Sequence, residues 1–149
     1  MKKLVSPVLA VAALVLAVPA SAQFAKAEDA IKYRRSALFV MQQNFGRVAA
    51  MAAGKAPFDA KVAAESAEVA AFMSKLPWSA FVEGSDKGDT KAKAEIWTDK
   101  AKFNENAEKL QADMAKLSAA AKTGNLDNIK AAVGAAGGNC KTCHDAFRS

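Results

Sequence analysis

Cys140, Cys143 and His144 are the side chains of this 149-residue sequence best suited to chemistry. They fall in one segment, Cys140-Lys141-Thr142-Cys143-His144, which holds both cysteines and the only histidine. Two thiols at this spacing can each add to a vinyl group of one porphyrin, giving two thioether bonds. On a helix, steps of three and four residues keep the three side chains on one face, so the imidazole is aimed at the iron of the ring the thiols hold. C-x-x-C-H is the signature of c-type haem attachment, and the segment is read as one covalent haem c with His144 as its metal ligand. Competing readings fit less well. A thioredoxin-like redox pair sits at a helix N-terminus after a strand, whereas this pair lies near the C-terminal end of a helical pattern. A structural zinc site needs four ligands, and the segment supplies three. A plain structural disulfide is the remaining alternative.

Haem attachment of this kind takes place outside the bacterial cytoplasm, and the N-terminus reads as an export signal. Met1-Lys2-Lys3 is positive, Leu4 to Val18 is almost wholly apolar, and Ala20-Ser21-Ala22 offers small residues for cleavage. The apolar run carries Pro7 and is shorter than the roughly 20 residues of a spanning helix. Residues 1–22 are therefore expected to be a cleaved signal peptide, and 23–149 a single periplasmic domain with no membrane insertion. The formal charge of +6 loses Lys2 and Lys3 with the leader, and two haem propionates would offset more. No cluster of Lys and Arg interleaved with aromatics marks a nucleic-acid face.

The elements that must carry the segment are helical. Apolar residues recur at Ile31, Leu38, Met41, Phe45 and Val48, predicting a helix over 27–53 that ends at Gly54 and Pro57. A second helix is expected over 59–75, facing inward with Val62, Val69, Phe72 and Met73. An irregular stretch follows over 77–99, long enough to suggest that it covers a site. A third helix, 99–122, repeats Phe103, Ala107, Leu110, Met114, Leu117 and Ala121. After the turn Thr123-Gly124-Asn125, a fourth helix over 126–147 carries Leu126, Ile129, Val133, Ala136, Cys140 and Cys143. This predicts an all-α, antiparallel up-down-up-down four-helix bundle. Gly134, Gly137 and Gly138 in the last helix either make room for the macrocycle or a neighbouring helix, or mark fraying.

The sixth position of the iron decides between gas binding and electron transfer. A second histidine ligand is impossible, which leaves Met41, Met51, Met73 and Met114 as axial sulfurs; a Met on an apolar stripe is more often plain core, and a His/Met pair would favour electron transfer. Here the sequence resembles the cytochrome c prime family over essentially the whole mature chain. The resemblance rests on Tyr33-Arg34-Arg35-Ser36-Ala37-Leu38, Pro77-Trp78-Ser79-Ala80-Phe81, Glu95-Ile96-Trp97 and Cys140-Lys141-Thr142-Cys143-His144-Asp145-Ala146-Phe147-Arg148. It implies a homodimeric bundle with five-coordinate iron near one end. It further implies that Leu38 blocks the sixth position, that Trp78 and Phe81 complete the same pocket, and that Arg34 contacts a propionate with Arg35 bordering the haem edge. Arg148 resembles the basic residue beside the proximal imidazole. Low-spin relatives carry a Met on the first helix where Leu38 stands here, with Met41 one turn further on.

A distal Leu offers no lone pair and excludes water, so a neutral diatomic would have to push it aside. NO and CO need no hydrogen-bond donor, whereas oxygen gains from one. The expected function is therefore NO and CO binding, electron transfer with a redox partner, or both, with a six-coordinate His/Met electron carrier as the alternative. A haem enzyme such as a peroxidase lacks a distal histidine or an obvious carboxylate in its place, so no enzymatic activity is expected. Arg34 lies within an apolar stripe, so a buried carboxylate partner is expected, for which a propionate would serve.

Overall fold

The computed structural model describes residues 23–149, so the expected signal peptide lies outside the described residues. Among the described residues five α-helices carry the fold: α1 (Ala27–Ala52), α2 (Ala60–Met73), α3 (Glu95–Thr98), α4 (Lys100–Lys122) and α5 (Leu126–Phe147). The four long ones form an antiparallel four-helix bundle in which α1 packs on α2, α2 on α4, α4 on α5, and α5 closes on α1.

Local chemistry sets the helix boundaries. Asp59 caps α2 by accepting from the Val62 amide at 3.0 Å, and Asn125 caps α5 by accepting from Asp127 and Asn128 at 3.0 and 3.1 Å. Asp99 caps α4 through the Lys102 amide. Gly54 and Gly124, with φ of 70° and 67°, take the left-handed conformation that ends α1 and α4. Ala60 at the start of α2 lies against Gly124 just past α4, which fixes those two helices as antiparallel.

Two apolar clusters fill the interior. A spine of Met41, Val48, Ala67, Ala70, Leu110, Met114, Leu117, Ile129 and Ala136 runs along the bundle. A smaller aromatic cluster of Ile96, Phe103 and Phe147, with Trp78, Phe81, Trp97 and Cys143 packed on it, closes one end. The α4 stripe is buried throughout, as its periodicity predicts. The inward face expected for α2 is a correction: Phe72 is 62% exposed and Val69 40%, while Ala63, Ser66, Ala67 and Ala70 face the core. Small side chains let α2 approach its neighbours closely, so the larger residues are left outside.

The stretch expected to be irregular carries two short helical pieces, a 3-10 turn at Pro77–Ala80 and α3. α5 is helical through Gly134, Gly137 and Gly138. A methyl group at Gly134 or Gly138 would meet open space, and only Gly137 has a near neighbour, Phe45 Cζ at 4.0 Å. Neither fraying nor a row of close helix contacts accounts for the three together.

Candidate haem site

Cys140 and Cys143 are free thiols, both half-buried, on the last two turns of α5. Their packing differs. Cys140 lies against the spine and Cys143 against the aromatic cluster, and Trp78 packs on both. Burial pushes both thiols above the ordinary cysteine range, with the neighbouring Cys140 adding to the shift at Cys143. His144 follows directly and is largely accessible to water. Partial desolvation lowers its pKa, Arg148 lowers it further, and Asp145 works the other way. The imidazole is thereby biased to the neutral form that ligates a metal.

The donor set fits a covalent haem. Two free thiols and an imidazole share one helical face, at the end where aromatic side chains are concentrated. Among the described residues no group of three or more His, Cys, Asp and Glu side chains is arranged to hold a bare metal ion.

The aromatic cluster is edge-packed. Phe103 stands against Phe81 at 4.8 Å, Phe147 at 5.4 Å and Trp78 at 5.7 Å between ring centroids, while Trp78 and Phe81 stack at 6.2 Å. Both indole N–H groups are committed. Trp78 donates to the Ser74 carbonyl at 2.6 Å, and Trp97 to the Val82 carbonyl at 3.1 Å. Leu38 is half-buried against the spine, as are Trp78 and Cys140. Met41 and Met114 are buried within the spine, Met73 packs on it, and Met51 is buried with its sulfur accepting from the Asp59 amide.

Arg34 is 2% exposed. Its guanidinium donates to the Ala80 carbonyl (3.0 Å), the Ser85 hydroxyl (2.6 Å), the Ser85 carbonyl (2.6 Å) and the Thr90 hydroxyl (2.9 Å). It also lies 4.5 Å from the Phe81 ring centroid. Its protein partners among the described residues are neutral oxygens of the 80–90 loop. These acceptors satisfy the fork without neutralising it, and burial lowers the Arg34 pKa to about 10, still charged at neutral pH. Arg35 is exposed and holds the same loop from outside, pairing with the Asp89 carboxylate and donating to its carbonyl. Arg148 is exposed just past α5, and its amide closes the last turn on the His144 carbonyl at 3.1 Å.

The structure thus brings Arg34, Phe81, Trp78, Cys143 and His144 to one end of the bundle, with Leu38 and Cys140 on the adjoining stretch of spine. Sequence reasoning missed Ser85 and Thr90, whose polar side chains in a loop gave no signal. It also left Trp97 and Phe147 without a role, although both lie in the strings that carried the resemblance.

The family model described as Cytochrome C' matches residues 29–148. The chain belongs to the cytochrome c prime family. A member from Rubrivivax gelatinosus is 56% identical over 127 residues, covering 85% of this chain and 98% of that protein. Its crystal structure superposes with a TM-score of 0.82 at 55% identity, covering 85% of this chain and all of that one. Cytochrome c prime from Shewanella frigidimarina gives a TM-score of 0.83 at 44% identity, covering 85% and 99% of the two chains. A nitric oxide complex of a variant of the Alcaligenes xylosoxidans protein gives 0.79 at 46%, covering 85% and 98%. Members of the family carry covalently bound c-type haem, for which Cys140 and Cys143 are the two cysteines present.

Proposed function

We propose that this chain is an exported monohaem cytochrome that binds NO and CO at an open iron position beside Leu38 and exchanges electrons with a redox partner. Cys140 and Cys143 hold the ring, and His144 holds the iron. When bound, the haem supplies one free coordination position and a one-electron couple. The observation that carries the reading is that the side chains assigned to this pocket offer no free donor. Leu38 has none, Phe81 has none, and both indole N–H groups of the aromatic cluster are spent on backbone carbonyls. Such a pocket excludes water and rewards ligands that need no hydrogen bond, which favours NO and CO over oxygen. The nitric oxide complex of the Alcaligenes xylosoxidans relative supports the same ligand class. Met41, the alternative sixth ligand, is seated in the spine with Val48 and Met114, which supports a packing role.

On this reading Arg34 and Arg35 border the propionate edge, Trp78 and Phe81 line the distal pocket, and Arg148 stands beside the proximal imidazole. Export to the periplasm through the 1–22 leader belongs to the same reading, as does pairing with a second copy. Phe39 on α1 is 60% exposed and Phe72 on α2 is 62% exposed, an outlay of apolar surface that a homodimer would cover. No helix among the described residues is long and apolar enough to cross a membrane.

Stopped-flow CO binding to wild type and Leu38→Ala is the test. Removing the obstructing side chain should speed association at least about tenfold, equivalent to about 1.4 kcal/mol of barrier. Identical rates in the two proteins would refute Leu38 as the distal gate.

A further inference from the structure

The 80–90 loop is held by Arg34, but the segment after it does something separate. From Thr90 the chain runs back along the end of α5 and pairs with it. Ala92 and Arg148 form an antiparallel bridge. The Lys93 amide donates to the Phe147 carbonyl at 3.0 Å, and the Ser149 amide donates to the Lys91 carbonyl at 3.0 Å. The Lys93 ammonium donates to the Asp145 carbonyl at 3.2 Å.

These contacts fall where a helix is weakest. The last four carbonyls of a helix have no intrahelical partner, and the last turn frays unless something else satisfies them. In α5 those carbonyls belong to residues 144–147, so the fraying turn is the one that carries His144. The Lys91–Lys93 strap supplies donors to two of the four, and the Arg148 amide supplies the His144 carbonyl. The thioethers would anchor residues 140 and 143 from below, while the strap holds the turn from above.

The near end of the strap is fixed by one hydroxyl. Thr90 Oγ1 accepts from the buried Arg34 guanidinium at 2.9 Å and from the Ala92 amide at 3.1 Å. Arg34 lies one turn before Leu38 on α1. A single side chain therefore refers the end of α5 to the helix that supplies the distal residue.

We propose that Thr90 is a positioning residue for the iron ligand: through the Lys91–Lys93 strap it holds the last turn of α5, and with it the His144 imidazole, in a fixed orientation. The inference rests on the reading of His144 as the axial ligand. It is tested on the haem-loaded protein with wild type, Thr90→Val and Thr90→Ser. Thr90→Val keeps the shape and removes the acceptor; Thr90→Ser keeps the acceptor.

Two readouts are taken together: the iron–imidazole stretching band in the ferrous resonance Raman spectrum, and amide hydrogen exchange at Lys93 and Ser149. Thr90→Val should accelerate exchange at both amides about tenfold, the loss of one hydrogen bond's contribution to local closure. It should also shift and broaden the iron–imidazole band. Thr90→Ser should restore both. A merely structural Thr90 would speed exchange without moving the band, and that result overturns the proposal, as does unchanged exchange. Should Thr90→Val not fold, deletion of Ser149 releases the far end of the strap and must move both readouts in the same direction. A wild-type spectrum with no iron–imidazole band overturns the His144 assignment and this inference with it. A normal wild-type band that Thr90→Val leaves alone overturns this inference only.

Discussion

The two ends of the bundle are built on opposite principles. At one end, residues 53–59 and 123–125 join adjacent helices through short turns, and each turn is held by caps reaching two or three residues along the chain. At the other end, the 74–99 connection is held by contacts that span most of the sequence. Arg34 reaches residues 46 to 56 positions away, and residues 91–93 pair with 147–149. Local closure costs little chain entropy, whereas distant closure must be repaid by strong contacts. A buried guanidinium with four acceptors and a packed group of aromatic rings supply that repayment at the end that carries Cys143. The lesson is a division of labour: the near-alanine packing of the turn end keeps the helices together, and the long-range end sets the aromatic cluster against Cys143.

The largest expected effects set the two clusters against each other. Phe103→Ala should cost roughly 3–5 kcal/mol, because its ring packs edge-on against Trp78, Phe81 and Phe147. It should also alter the haem absorption spectrum. Leu117→Ala, in the fully buried spine, should cost about 2–5 kcal/mol and leave the spectrum unchanged. Thermal unfolding and absorption on the same samples check both, and equal spectral changes would erase the distinction between the clusters.

Arg34→Met should come next, at roughly 2–4 kcal/mol in denaturant unfolding, since the buried Ala80 and Ser85 carbonyls lose their donors. Limited proteolysis should then cut within 81–94 and nowhere in the 53–59 turn. Asn125→Ala removes a cap at the turn end and should cost about 1 kcal/mol, with the ferrous spectrum unaltered. Smallest of all, Lys61→Ala breaks the exposed 3.9 Å pair with Glu65 and should change stability by less than about 0.5 kcal/mol.

Much of the turn end was legible in the sequence, because its determinants are local. The Thr123-Gly124-Asn125 turn, the α4 stripe and the stop at Gly54 each follow from residues within a few positions of one another. The α2 face was misjudged because hydrophobicity points to Val69 and Phe72, while close helix approach selects alanine. At the other end the C-x-x-C-H motif stands out in five consecutive residues, and the resemblance singled out Leu38, Trp78 and Phe81 for the roles proposed above. The partners of Arg34 were not, since hydroxyl and carbonyl acceptors in a loop leave no periodic trace. The strap on α5 escaped for the same reason: backbone pairing between residues 91–93 and 147–149 does not depend on side-chain type.

Absorption spectra of the ferric and ferrous haem-loaded protein, with and without CO, test the central claim most directly. The account expects a broad high-spin ferrous Soret band that sharpens and shifts when CO is added, because the iron position beside Leu38 is open. Narrow, split low-spin bands that ignore CO would contradict it and would make Met41 the sixth ligand of an electron carrier.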